Sequence, residues 1–312
     1  MVNGKAPLND MLPLSLGAIS LVIWLYLLIG RGGFWLSAER DDKPFAPAAD
    51  PQTWPDVAVV IPARDEADGI AACIGSLLAQ DYPGECNIVL VDDGSTDGTA
   101  AIAQQAAADA DALERLEVVT GRPLPAGWTG KLWAVRQGVE AAAELEPEYL
   151  LLSDADIVYE PGVLQSLVAR ARAGRLVLTS LMVKLRCRSL PERAFIPAFI
   201  FFFEMLYPFA RINNPQSAVA GAAGGCMLVK AEALRRAGGI DVIRNALIDD
   251  CALARALKAQ GPIWLGLTKR AHSIRPYPDF ADIRRMVVRS AYAQLNYSPL
   301  ILLGCVAGMG LT

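Results

Sequence analysis

A chain of 312 residues with a net charge of −4 has no basic footprint for nucleic acid, and its 53% hydrophobic content and mean hydropathy of +0.31 exceed those of an ordinary soluble domain. Six cysteines, at positions 73, 86, 187, 226, 251 and 305, form no Cys-x-x-Cys pair and read as reduced, mostly buried thiols, which argues against a zinc site or a disulfide framework. The single histidine, His272, leaves no multi-histidine metal site, and the length suits one large α/β domain with membrane elements attached.

In chain order, residues 1–11 form a short tail. Leu12 to Gly30 is free of charge over about 19 positions, close to the ~20 that span a bilayer as a helix, and it lacks the short apolar core and small-residue cleavage site of a signal peptide. Lys5 precedes this span while Arg31, Arg40 and Lys43 follow it, so the positive-inside bias places the rest of the chain in the cytoplasm, at the inner (plasma) membrane. Trp24, Tyr26, Phe34 and Trp35 sit near that end as interfacial aromatics. Residues 31–55, rich in Pro, Ala and Asp from Ala38 to Pro55, read as a juxtamembrane linker.

Strands and helices then alternate. Val57–Pro62 is an apolar strand, followed by a turn and a helix through Gln80; Asn87–Val91 is the next strand, Thr99–Ala108 a helix, Leu116–Thr120 a third strand and Lys131–Ala143 a helix. Tyr149-Leu150-Leu151-Leu152-Ser153 is a continuous apolar run of the kind buried on both faces of a parallel sheet, and it ends in Asp154-Ala155-Asp156. This rhythm predicts an α/β fold with a doubly wound, mostly parallel sheet whose strand ends share one rim. The first turn carries no Gly-x-Gly-x-x-Gly, and Gly127-Trp128-Thr129-Gly130-Lys131 fails the phosphate-loop pattern because position 125 is Pro and position 132 is Leu.

Three strand ends on that rim are acidic: Asp65-Glu66, Asp92-Asp93, and Asp154 with Asp156. Such carboxylates accept hydrogen bonds from base N–H groups and ribose hydroxyls, and Asp154 and Asp156, two apart on a strand, can hold a divalent cation that also grips phosphates. Read singly, each also fits a helix cap or a solvated turn.

Together, Val59-Val60-Ile61-Pro62-Ala63-Arg64-Asp65-Glu66, Val91-Asp92-Asp93-Gly94-Ser95-Thr96-Asp97, Gly130-Lys131-Leu132-Trp133-Ala134 and Ser153-Asp154-Ala155-Asp156 resemble the inverting, GT-A-fold glycosyltransferases of family 2 over about residues 56 to 296. Within the family the chain is most similar to the membrane-anchored hopene-associated glycosyltransferases, to which Pro125–Lys131 and Arg289-Ser290-Ala291-Tyr292 also point. The resemblance implies a UDP-sugar donor and Mg²⁺ or Mn²⁺. It gives Asp65 and Asp93 to the nucleoside, with Pro62, Glu66 and Asp92 on the same donor side. It gives Asp156 to the metal, places Asp154 near the ribose or the metal's water shell, and has Lys131 steady the donor.

The remaining residues, 186–296 after a strand at Leu176–Leu185, read as the acceptor half. Gly221 to Val229 is a glycine-rich loop entering a strand, and Gly224 and Gly225 would let an acceptor approach the backbone. Leu247-Ile248-Asp249-Asp250-Cys251 opens a helix running to Gln260; the resemblance makes Asp250 the catalytic base, with Asp249 standing where the family usually has Glu. A carboxylate there can take the proton of an attacking hydroxyl, and it also suits a helix N-terminus. His272, after a strand-like Ile263–Thr268, is a candidate third metal ligand. Arg289 is a candidate diphosphate partner, and the absence of the Gln and Trp of Gln-x-x-Arg-Trp around it favours transfer of a single sugar over polymer synthesis. Phe195–Phe209 reads as an interfacial helix, against the alternative of a buried core helix, and 297–312 as the start of a further membrane segment. The expectation is an enzyme moving one sugar to a hydroxyl of a membrane lipid such as a hopanoid. A metal-dependent nucleotidyltransferase and a catalytically silent membrane scaffold of the same fold remain the alternatives.

Overall fold

The computed structural model describes residues 8–43, 45, 53–295 and 297–311. Lys5 and much of the stretch from 44 to 52 therefore lie outside the described residues. The strands are β1 (Val57–Ala63), β2 (Cys86–Asp92), β3 (Leu116–Thr120), β4 (Tyr149–Ser153), β5 (Ile157–Tyr159), β6 (Leu178–Lys184), β7 (Cys226–Lys230) and β8 (Ile263–Ser273), in one sheet of order β3-β2-β1-β4-β7-β6-β8-β5. The helices are α1 (Leu8–Leu25), α2 (Ile70–Leu78), α3 (Thr99–Asp109), α4 (Gly130–Ala142), α5 (Val163–Gly174), α6 (Leu190–Leu206), α7 (Phe209–Ile212), α8 (Ala231–Arg236), α9 (Asp249–Lys258), α10 (Phe280–Gln294) and α11 (Pro299–Leu311).

Strand alternation sorts the core into two layers. Val57, Val59 and Ile61 of β1 face Ile70, Ile74 and Leu77 of α2 and Leu164 and Leu167 of α5, whereas Ala58 and Val60 face Leu132 and Val135 of α4 and Leu253 and Leu257 of α9. Each fully buried Ile or Leu in these layers contributes about 1.5–3 kcal/mol. Gly138 lets α4 lie directly on the sheet, since a Cβ there would come within 2.4 Å of Val60 Cγ1.

The sheet is α/β as expected, with β3, β2, β1 and β4 parallel. Its second half is mixed: β7 runs antiparallel between β4 and β6, β8 is parallel to β6, and β5 is antiparallel to β8. The reversal has a functional consequence. Cys226 opens β7 opposite Ser153, so the loop before it reaches the rim where β1, β2 and β4 end.

Residues 31–43 are not a free linker. Asp41 N–H donates to Leu267 O at 3.0 Å, Leu267 N–H to Glu39 O at 2.9 Å, and the buried Asp41 carboxylate accepts from Thr268 Oγ1 at 2.7 Å and Arg270 Nε at 3.0 Å. The Arg31 guanidinium donates to Met205 O at 2.6 Å and Leu206 O at 2.9 Å, satisfying carbonyls at the end of α6, while Ser37 Oγ donates to Glu204 at 2.8 Å. Among the described residues two helical stretches are long and apolar enough to cross a membrane, Pro13–Gly30 and Leu190–Ile212, and Pro299–Gly310 is a shorter apolar one. Pro191 lies in the first turn of α6, where a proline costs no hydrogen bond, and the helix continues through Pro197.

Candidate active site

The acidic strand ends divide into two groups. Asp65, in the left-handed region at φ 53°, accepts from Thr96 N–H at 2.9 Å while its own N–H donates to Ser95 Oγ at 3.0 Å. Asp92 accepts from Ser95 N–H at 2.9 Å. The Asp65 carboxylate thus ties the β1 turn to the β2 turn, whereas Asp92 closes its own turn, as aspartates do in local side-chain-to-backbone bonds. Asp93 instead lines the cleft beyond the rim, 3.8 Å from Arg64 Nη1. Partial burial pushes its carboxyl above the usual range, and Arg64 opposes that shift. Glu66 also faces the cleft and pairs with Arg275 Nη2 at 2.5 Å.

At the end of β4 the two aspartates meet different cations. Lys131, at the start of α4, places Nζ 2.7 Å from Asp154 and 3.5 Å from Asp249. Burial works to lower the lysine pKa, but Asp154 and Asp249 outweigh it and hold the ammonium charged. Asp156 is buried, accepts from Ser273 Oγ, and lies 3.5 Å from Arg275 Nε. Ser273 points to Asp156, so His272, one residue back on β8, turns to the opposite face and is absent from the cleft lining. No group of three His, Cys, Asp or Glu side chains poised around a metal occurs among the described residues. The structure therefore does not join His272 to the Asp154–Asp156 pair.

Asp250, in the first turn of α9, is gripped by two backbone donors, Gly224 N–H on Oδ2 at 3.1 Å and Cys251 N–H on Oδ1 at 2.7 Å. Burial, reinforced by the neighbouring Asp249, pushes its carboxyl up to about 6. Gly224 lies in the cleft wall with space for a Cβ; Gly225 is packed instead, since a Cβ there would meet Val183 Cγ2 at 3.1 Å and Ile157 Cδ1 at 3.3 Å.

One cleft of about 1140 Å³ joins Pro62, Asp93, Lys131, Asp154, Asp156, Gly224 and Asp250. Phe199 and Phe203 of the apolar α6 line it, as do Arg275, Tyr277 and Arg285. Arg289 is on α10, and its side chain lies outside the described residues.

The model of the family described as Glycosyl transferase family 2 matches residues 58–238, more than half of the chain, and these carry every strand of the rim. The chain belongs to that family. The matched segment is a family 2 glycosyltransferase domain with the GT-A fold. An N-acetylglucosaminyltransferase of Rhizobium leguminosarum bv. viciae is 32% identical over 161 residues, 51% of this chain and 35% of that protein. The glycosyltransferase AglE of Haloferax volcanii is 42% identical over 65 residues, 20% of this chain and 21% of that one. The chain thus spans only about a third or less of these relatives. Among solved structures, the mannosyltransferase PcManGT of Pyrobaculum calidifontis, in complex with GDP-Man and Mn²⁺, superimposes with a TM-score of 0.58 at 22% identity, covering 91% of this chain and 76% of that one.

Three cleft residues of the glycosyltransferase escaped the sequence reading. β8 runs five residues past the segment read as strand-like and ends at Ser273, its alternation carries Ser273 onto Asp156, and Arg275 follows just beyond the strand. Arg64 was visible only as part of a motif. For Arg275 there was no local signal, because Glu66 and Asp156 are distant in the chain.

Proposed function

We propose that this glycosyltransferase moves a single sugar, with inversion, from a UDP-sugar to a hydroxyl of a membrane lipid, with Asp250 as the base. The observation that carries the proposal is the common cleft: Asp93, the Asp154–Asp156 pair and Asp250 open into one space walled by aromatic side chains of an apolar helix. The nucleoside sits against Pro62 and Asp93, with Asp65 and Asp92 shaping the turns around it and Glu66 beside them. Lys131 steadies the diphosphate, as does Arg289.

Inversion requires the acceptor hydroxyl to attack opposite the leaving diphosphate and to lose its proton as the bond forms. Asp250 suits that task because two backbone N–H groups fix its orientation and its carboxyl, at about 6, is ionised yet basic near neutral pH. Asp249 supports it by raising that basicity. Gly224 lets the acceptor approach the base, and Phe199 and Phe203 receive an apolar chain.

Asp154 and Asp156 present hard oxygen donors that already tolerate positive charge beside them, from Lys131 at 2.7 Å and Arg275 at 3.5 Å. One or two carboxylates completed by waters and substrate phosphates is the environment Mg²⁺ and Mn²⁺ favour, so the residues present fit such an ion. Bound there, it would stabilise negative charge on the departing UDP.

The subtype is the membrane-anchored one that takes hopanoid-like acceptors, with α1 in the inner membrane and the cleft on the cytoplasmic side; the apolar α1 and α6 support this. The test is a donor panel of labelled UDP-GlcNAc, UDP-glucose and GDP-mannose with Mn²⁺ and membrane lipids. Label should enter the lipid phase from a UDP-sugar in the wild type and fall to background in Asp250→Asn. Release of pyrophosphate from UTP, or equal transfer by the variant, would refute the proposal.

A further inference from the structure

Among the carboxylates lining the cleft are Glu66, Asp154 and Asp156, and Asp156 is buried. Like charges this close cannot stay ionised in a partly buried site without compensation. Lys131 compensates Asp154. Arg275 compensates the other two at once, with Nη2 2.5 Å from Glu66 Oε1 and Nε 3.5 Å from Asp156 Oδ2. Burial works to lower the Arg275 pKa, and Asp156 and Glu66 outweigh it. The residue hangs from a fixed support: Ile274 N–H donates to Asp156 O at 3.0 Å, and Arg275 N–H to Ser273 Oγ at 3.3 Å. The Arg275 side chain is 43% exposed, so it has room to leave the carboxylates while the backbone stays in place.

We infer that Arg275 is a resident counter-cation: it occupies the Asp156 carboxylate while the cleft is free of nucleotide and transfers to the donor's diphosphate when a divalent cation takes that carboxylate. This deepens the proposed function and rests on its cation site. A guanidinium matches carboxylate and phosphate oxygens with the same planar fork, so the exchange trades one charge-assisted pair for another. Because Arg275 and the incoming cation compete for Asp156, the cation binds poorly alone. Because the diphosphate draws Arg275 away, nucleotide and cation promote each other's binding, reciprocally and by the same factor. Lys131 also bridges two carboxylates, Asp154 and Asp249, but among the described ion pairs Glu66 and Asp156 are both balanced by Arg275.

The experiment titrates Mn²⁺ into the full chain, followed by the electron paramagnetic resonance of free Mn²⁺, with and without UDP, and titrates UDP by calorimetry with and without Mn²⁺. In the wild type, UDP should tighten Mn²⁺ binding about tenfold or more. In Arg275→Met, Mn²⁺ alone should bind about tenfold tighter than in the wild type, UDP should bind more weakly, and the mutual enhancement should shrink towards unity. Arg275→Lys retains the charge and guards against a misfolded Met variant; it should hold Mn²⁺ alone near wild-type affinity while losing UDP affinity. Equal enhancement by UDP in the wild type and both variants overturns the role of Arg275 and leaves the proposed cation site standing. No Mn²⁺ bound by the wild type in the presence of UDP overturns the cation site, and the inference with it.

Discussion

Replacing Asp250 by Asn removes a proton acceptor and keeps the side chain's size. The amide oxygen can accept from only one of the two backbone donors, Gly224 N–H at 3.1 Å or Cys251 N–H at 2.7 Å, so the variant should also lose about 1–3 kcal/mol of stability, which denaturant unfolding separates from the loss of rate. A positioned general base contributes about 10²–10⁴-fold, so the loss in kcat should correspond to about 3–5 kcal/mol of transition-state stabilisation. The pH profile makes the test specific. With its carboxyl at about 6, Asp250 is largely ionised at neutral pH, and wild-type kcat/KM should fall as pH drops through that value because the base becomes protonated. The assay is the initial rate of sugar transfer into lipid across the acid range. Asp250→Asn should retain UDP affinity by calorimetry, lose most of the rate, and lose the acid limb. A variant within about threefold of wild type, or a slow variant whose acid limb persists, would show that another group takes the proton.

Three further outcomes follow from the same contacts. Asp249→Asn removes a negative charge that raises Asp250, so the acid limb should move below about 6, with less loss of rate than in Asp250→Asn. Glu192 is fully buried and accepts from Arg188 N–H at 2.6 Å and from Ser189 and Tyr277 N–H at 2.8 Å; these bonds overcome burial and bring its carboxyl down to about 2. Glu192→Gln turns an amide donor toward those donors and should cost on the order of 2 kcal/mol in denaturant unfolding. That contribution is present above the usual glutamate pKa and is lost as pH falls toward about 2, so the gap from wild type should narrow in acid. Gly138→Ala drives a methyl to within 2.4 Å of Val60, and the thermal midpoint should drop by an amount corresponding to about 1–3 kcal/mol.

Much of the fold was legible because parallel strands buried on both faces leave continuous apolar runs, as Val57–Ile61 and Tyr149–Leu152 do. The three-residue β5 is too short to leave a periodic signal, and the antiparallel setting of β7 depends on pairings made only in the folded chain. The acidic rim could be read from composition. Which carboxylates enter the cleft could not, since Asp92 and Asp93 differ only in which way the turn sends them. The capping box of Ser189 and Glu192 is a local pattern that could have marked the start of α6 five residues earlier than the Phe-rich run suggests. By contrast, the segment around Asp41 reads as linker because its partners on β8 are more than two hundred residues away.

That bonded segment limits how the catalytic body can swivel. A tether made of solvated coil would let the cleft sample many tilts, but Arg31 on the end of α6 and Asp41 on β8 leave few rotatable links between α1 and the acceptor wall. If α1 crosses a bilayer, the mouth beside Phe199 and Phe203 is held at a fixed height and pitch above it, and only alcohols presented at that depth can meet Asp250. Selectivity among acceptors then begins with geometry relative to the lipid surface, before any contact with the sugar.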